Sequence, residues 1–396
     1  MSAPESGAPR RSCWIQFALL ATLFAALMAR TWGKWPDSVV DFGRELYTPW
    51  RLSEGDVLYR DVAWFNGPLS PYWNTLWFEV FGVSLSTLVW VNAALFAAIL
   101  ALLHAALRSF ATSWAATGAC ALVIACCGFA QLVGIGNYNY VTPYSHEATH
   151  GVLLTLGALV SALRWARTRA WWWSALCGAC AGAAFLTKPE MALAALLAGV
   201  GGLAFSAWQA RIELVAQLRA LAAFATCAAL VVALAFAALA SALDAADAWR
   251  GVLGAWPSLA ASDVAELAFY KRGMGLDAPG ANLVTMLAWC GRWAALVAVL
   301  SGASAAARRA PTWLGGAVLF ALGLGVTYAL VTWTRLSEVA RGWPLLTLAT
   351  LAFSAFALAR RAGSPREAAR AAFALAALAL LGKMALNVRI SHYGFA

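Results

Sequence analysis

His146, Glu147 and His150 stand in the string PYSHEATHGV, residues 143–152. Two histidines four apart share one face of a helix and could both ligate Zn²⁺. The glutamate between them would activate a water, which is the chemistry of metalloproteases. Such a site needs a third protein ligand. The chain's other histidines are His104 and His392, so that ligand would be a distant carboxylate, and Asp277 in GLDAPG is the best candidate. A second concentration of reactive side chains lies upstream. Residues 33–85 carry seven acids, Asp37, Asp41, Glu45, Glu54, Asp56, Asp61 and Glu79, among Arg44, Arg51, Arg60 and many aromatic rings. Carboxylates take protons from hydroxyls, cations hold phosphates and aromatic faces stack on sugars. This stretch therefore suits a site for a sugar and a phosphate at a lipid surface.

The elements that must position these residues are apolar helices. Of the 396 residues, 62% are hydrophobic and 12% charged, with a mean hydropathy of +0.71; a soluble domain carries roughly twice that charged fraction. The composition is that of an all-α polytopic membrane protein, one integral membrane domain over residues 1–396. Apolar stretches of the length of a membrane span fall at 13–32, 86–107, 111–131, 147–165, 171–187, 190–208, 218–243, 282–304, 312–332, 343–359 and 368–388, so about eleven transmembrane helices are expected. The first is too long, and too poorly followed by a cleavage site, for a signal peptide.

With Arg10 and Arg11 in the cytoplasm, the cytoplasmic segments are PRR, Arg108, RWARTRA, RIELVAQLR, ARRAP and ARRAGSPREAAR, whose acids are Glu5, Glu213 and Glu367. The other fifteen of 18 acids fall on or near the opposite side. This positive-inside pattern accounts for the excess of 28 Lys and Arg over 18 acids, with no nucleic-acid partner required. Two long external loops result, 33–85 and 244–281. In the first, apolar positions between Val39 and Ser53 follow a helical face, which predicts an amphipathic helix at the membrane surface with Asp41 and Glu45 on its polar side. EGD and NGP supply turns. The pair Cys177 and Cys180 in CGAC lies inside an apolar stretch and reads as buried small hydrophobes.

Asp41, LSEGDVLYRD, NGPLSPY and FG follow one another in the first loop, and NYNYVTPYSHEATHG, FLTKPE, GLDAPGANL and HYGF come after them along the chain. In that order they resemble landmarks of bacterial GT-C membrane glycosyltransferases. That group is related to the protein O-mannosyltransferases and lipid A aminoarabinose transferases (glycosyltransferase family 39-like). The resemblance implies a multi-helix GT-C-like fold with its active site in external loops. It also implies a polyprenyl-phosphate-linked sugar as donor and an acid of the first loop as catalytic base.

Asp41 is the residue expected to take that role, in an inverting transfer to a lipid, glycan or protein acceptor. Glu45, Asp61, Asn66, Tyr144, His146 and Glu147 are expected to bind substrate, and Lys188, Arg272 and Arg335 to face the donor phosphate. A divalent cation stays open as a cofactor. The expected setting is the bacterial inner membrane, N-terminus cytoplasmic and active-site loops periplasmic, in contact with membrane lipids.

Two other readings stand beside this one: a lipid-linked-sugar flippase, and an H-E-x-x-H zinc protease. A transporter would place ionisable groups near the bilayer midplane, whereas most acids here fall in external loops. Ser145 and Glu147 also suit the first turn of a helix as N-cap and first-turn acid. The topology predicts that Asp56→Cys reacts with a membrane-impermeant thiol reagent from outside the cell while Arg309→Cys does not; the opposite labelling would invert it.

Overall fold

The structure, a computed structural model, describes residues 8–35, 39, 42–129, 139–259, 266–307, 309, 314–315, 321–323, 325, 336–360, 363–384 and 386–389. Among these the chain is helical, and the one β feature is an isolated bridge between Leu58 and Val62. In chain order the α-helices are α1 (Ala8–Thr31), α2 (Gly43–Ser53), α3 (Leu69–Phe81), α4 (Leu85–Leu107), α5 (Ser113–Val123), α6 (His146–Thr168), α7 (Trp171–Phe185), α8 (Pro189–Ala210), α9 (Leu214–Ala240), α10 (Ala245–Leu253), α11 (Ala268–Met274), α12 (Pro279–Ala307), α13 (Trp343–Ala359) and α14 (Pro365–Leu381).

Six segments among the described residues are long and apolar enough to cross a membrane: Cys13–Thr31, Leu85–Leu107, Pro189–Ala210, Leu214–Ala240, Ala268–Ala307 and Glu338–Ala359. That is fewer than the eleven expected. Helices α5, α7 and α14 lie at predicted stretches but are shorter than those stretches: α5 passes into a π-helical segment over Ile124–Gly128, α7 ends in a turn at Leu186 and α14 passes into a 3₁₀ segment over Gly382–Met384; α6 carries polar residues at both ends. Most of 312–332 lies outside the described residues. In α9 the large side chains Leu218, Leu230 and Leu234 point outward and are exposed, a surface that matches hydrocarbon and not water.

The chain forms two compact units, Met1–Ala261 with Leu351–Leu380, and Ser262–Thr350 with Leu381–Phe395. In the first, α6 packs on α4, α7 and α8, and α7 packs along α9. The interfaces are built from small residues. Ala158 and Ala162 of α6, Cys177, Ala181 and Ala184 of α7 and Ala195 of α8 share one buried cluster. Without a hydrophobic drive between helices in lipid, such close backbone approach is what allows dispersion contacts to hold them. The second unit is centred on Arg341, which is buried and donates to Asn282 Oδ1 at 2.6 Å and to Asn387.

The expected helix of the first loop is α2. It is followed by the EGD turn and a tight loop in which Tyr59 adopts φ +71°. The NGP segment then docks onto the turn between α7 and α8: Gly67 N donates to Thr187 O at 3.0 Å and Leu69 N to Leu186 O at 3.1 Å. Gly67 is required by this approach, since a Cβ there would overlap the Leu186 carbonyl, which cannot move without unwinding the helix end. Gly67→Ala is expected to destabilise the protein by about 1–3 kcal/mol, the usual cost of overpacking, read as a lowered unfolding midpoint in detergent. An unchanged midpoint would show that the loop does not need this contact.

Candidate functional site

Where α2, the NGP segment, the start of α6 and the start of α8 meet, four ionisable side chains gather: Arg44, Glu45, Glu147 and Lys188. Glu147, on the first turn of α6, is fully buried. Its Oε1 accepts from Asn66 Nδ2 at 2.5 Å, its Oε2 from Ser145 Oγ at 2.7 Å, and Arg44 lies 3.7 Å away as an ion pair. Lys188 reaches the same carboxylate through Ser145, donating to its hydroxyl at 2.5 Å. Lys188 is placed there because Pro189 starts α8 at its first position, the role proline's missing N–H and fixed φ favour. Ser145 occupies the N-cap position expected for it, but its side chain caps no backbone N–H. Its hydroxyl donates to the Glu147 carboxylate.

Arg44 also donates to Glu45 Oε1, with Nε at 3.1 Å and a second nitrogen at 3.0 Å. Glu45 is only 2% exposed, so the polar side of α2 faces the protein and not solvent. Burial, and then the Glu147 charge, push the Glu45 carboxyl up to about 8, partly offset by Arg44 and Lys188. Near neutral pH the cluster therefore sets two basic side chains against one carboxylate.

Arg44 is 43% exposed on its other side, where it forms part of a cavity of about 400 Å³ with Tyr47, Thr48, Asp61, Trp64 and Phe65. Its guanidinium lies over the Trp64 ring, 5.3 Å from the centroid. Asp61 stands on the cavity wall, paired with Arg60 at 2.9 Å and accepting from Val57 N at 2.8 Å. Hydrogen bonding to Arg60 holds its carboxyl below the usual range. Tyr144 is buried, 5.7 Å from ring centroid to Lys188 Nζ. The arrangement offers a cationic floor, aromatic walls and an ionised acid, which together suit a phosphate and a sugar.

The two histidines face elsewhere. One residue along an α-helix turns the side chain by about 100°, which separates Glu147 from His146; His150, one turn after His146, packs with it against α3. The spacing of Ser70 and Asn74 on α3 matches theirs: Ser70 Oγ lies 2.8 Å from His150 Nδ1, and the Asn74 amide 2.6 Å from His146 Nδ1. Asn92 Nδ2 approaches His146 Nε2 at 3.3 Å while donating to Val141 O at 3.2 Å. A neutral imidazole has one donor and one acceptor, so the ring accepts from one of the two amide Nδ2 groups, that of Asn74 at Nδ1 or that of Asn92 at Nε2. The H-E-x-x-H spacing here builds a polar seam between α3, α4 and α6, and among the described residues no three His, Cys, Asp or Glu side chains converge to hold a metal.

Of the expected site residues, Glu45, Asn66, Glu147 and Lys188 come together, with Asp61 across the cavity and Tyr144 beside Lys188. His146 supports the fold next to them. Arg272 lies in the second unit, where its carbonyl accepts from Asn387 Nδ2 at 2.7 Å and its side chain is exposed. Arg292 of α12, in the same unit, stacks on Trp289 at 4.5 Å. Asp41 and Arg335 lie outside the described residues. Arg44 was not singled out as a site residue by sequence, although its position beside Glu45 was a signal; the match of Ser70 and Asn74 to the histidine spacing was another.

Glu45 gives the fold a pH dependence of definite sign. Its folded value lies above the ordinary carboxyl value of 4.5, so between the two the folded state holds a proton that the unfolded state has lost. The contribution is complete below about 4.5 and is lost as pH rises towards about 8. Stability should fall across that window on the order of 1 kcal/mol per pH unit. Glu45→Gln, a neutral isostere, is expected to remove this slope in thermal unfolding measured between pH 5 and 8.5, and parallel curves for the two proteins would reject the assignment.

No protein-family model, curated protein or solved structure matches this chain.

Proposed function

We propose that this protein is a multi-pass membrane glycosyltransferase that moves a sugar from a polyprenyl-phosphate-linked donor to an acceptor hydroxyl at the periplasmic face of the bacterial inner membrane, in building a cell-envelope glycan. The observation that carries this reading is the Arg44–Glu45–Glu147–Lys188 cluster lying against an aromatic-walled cavity in the first loop. A donor phosphate would meet Arg44 at the cavity floor. The sugar would lie against Trp64, Tyr47 and Phe65, with Asp61 accepting from its hydroxyls. A lipid-borne donor fits a chain whose sequence carries no Gly-rich nucleotide loop.

In the proposed reaction the acceptor oxygen attacks the anomeric carbon as Asp41, two residues before α2 begins, takes its proton. The bond from that carbon to the phosphate oxygen breaks, and the polyprenyl phosphate leaves with the electron pair. Negative charge grows on the leaving phosphate, so fixed cations nearby stabilise the transition state more than the ground state. Arg44 is the exposed cation of the cluster, and Glu147 holds it in place from the buried side. The GT-C-like arrangement and the full number of spans belong to the same proposal.

The test is to incubate purified protein with radiolabelled polyprenyl-phosphate sugars and follow release of the lipid phosphate. Asp41→Asn keeps size and much of the hydrogen bonding but cannot take a proton, and is expected to lower turnover by about 10²-fold to 10⁴-fold with membrane insertion and donor binding retained. Normal turnover in that variant with Asp61→Asn inactive would move the base to Asp61. Movement of intact donor across vesicles without bond cleavage would replace the transferase reading with a flippase.

A further inference from the structure

The same helices that carry the charge cluster at one end form a different site at the other. Helix α8 begins beside Lys188 and ends at Ala210, 22 residues later, about 33 Å along its axis. This is close to the hydrocarbon thickness of a bilayer, about 30 Å. Helix α6 (His146–Thr168) packs alongside it. Between the ends of α6 and α8 and the starts of α7 and α9 lies a groove of about 760 Å³, lined by Trp165, Arg169, Trp171, Arg211, Ile212, Glu213 and Arg219 among others.

Three guanidinium groups share this groove with one carboxylate. None of Arg169, Arg211 and Arg219 makes an ion pair among the described residues, although Arg169 packs over the Trp165 ring at 5.3 Å. Partial burial, with no acid to offset it, holds Arg169 below its ordinary value. Arg169 and Arg211 also terminate α6 and α8 at φ +59° and +49°, the left-handed conformation that glycine adopts at least cost. Two helix ends thus carry a long cation where a glycine would be the easier residue. Neither Ala170 nor Glu213 caps the following helix with its side chain, so the first turns of α7 and α9 add their positive ends to the same region. The exposed indole of Trp171 and the Ile212 side chain supply apolar wall at that level.

We infer that this groove binds the headgroup of an anionic phospholipid, its phosphate held by Arg169, Arg211 and Arg219 and its glycerol and first acyl carbons lying against Trp165, Trp171 and Ile212. Charge complementarity selects the occupant. A lipid without net negative charge would leave the excess of three guanidinium groups over one carboxylate unbalanced, whereas a soluble phosphate would leave the apolar walls uncovered. Basic pockets between helix ends on the arginine-rich side of a membrane protein are suited to such lipids. The inference rests on the chain spanning a bilayer and is independent of the reaction proposed for the other end.

The test titrates phosphatidylglycerol, phosphatidylcholine and inorganic phosphate separately into delipidated, detergent-solubilised full-length protein and follows the thermal unfolding midpoint. Phosphatidylglycerol is expected to raise the midpoint saturably, the other two not. Each arginine replaced by Gln should weaken the apparent affinity about five-fold, and the triple variant Arg169→Gln, Arg211→Gln, Arg219→Gln about 100-fold. Arg219→Gln, at an exposed position on α9, serves alone if the triple variant does not fold, and Arg250→Gln on α10 should leave the affinity unchanged. An equal response to phosphatidylcholine or to inorganic phosphate would overturn the inference, as would undiminished affinity in Arg219→Gln.

Discussion

The arrangement of the first unit depends on the Glu147 carboxylate. A buried carboxylate is costly unless its charge is opposed and its oxygens are bonded, and Glu147 meets both conditions with groups from three separate parts of the chain. Asn66 comes from the NGP segment, Arg44 from α2, and Lys188, through Ser145, from the start of α8. Satisfying one side chain therefore fixes where the first loop lies on the helix bundle. The loop would otherwise be a run of polar and aromatic residues on the membrane surface; anchored, it closes a cavity whose floor is Arg44.

This anchoring also sets the electrostatics. Two carboxylates share one region with two bases, and burial divides them: the more fully bonded Glu147 is the partner of the cations, and Glu45 retains a proton near neutral pH. A neutral Glu45 still accepts from Arg44, so it helps hold the guanidinium without cancelling its charge. Positive charge left over on the exposed side of Arg44 is what the proposed phosphate leaving group would meet. At the far ends of α6 and α8 the balance is more one-sided, because three arginines there face a single acid. The two ends of the same helices thus present different chemistry.

Histidines four apart gave the sequence its most specific motif, and they illustrate how a motif depends on what lies opposite it. An i, i+4 pair puts two imidazoles on one helix face whatever their use. In this fold that face meets Ser70 and Asn74, an i, i+4 pair on α3, and Asn92 on α4. Glu147, one step round the helix, is turned into the charge cluster. The spacing that suggested a metal site describes a buried hydrogen-bonded seam next to the candidate site, and a single helical step separates the two roles.

Composition and local pattern determined the helical class, the apolar stretches, the amphipathic helix ahead of Ser53 and the start of α8 at Pro189, because each depends on hydropathy, periodicity or the backbone chemistry of a few neighbouring residues. The same reasoning did not place the helix ends: apolar composition continues through turns such as the one after Phe185, and hydropathy alone does not register where hydrogen bonding of the helix stops. It also selected Glu45, Asn66, Glu147 and Lys188 as members of a site without showing that they touch. Only the tertiary structure decided that Asn66 and Glu147, 81 positions apart, bond to each other, that Glu45 is buried, and that Arg44 is the cation left facing the cavity. Those outcomes follow from desolvation and from the packing of distant segments, and neither quantity is a property of any local stretch of sequence.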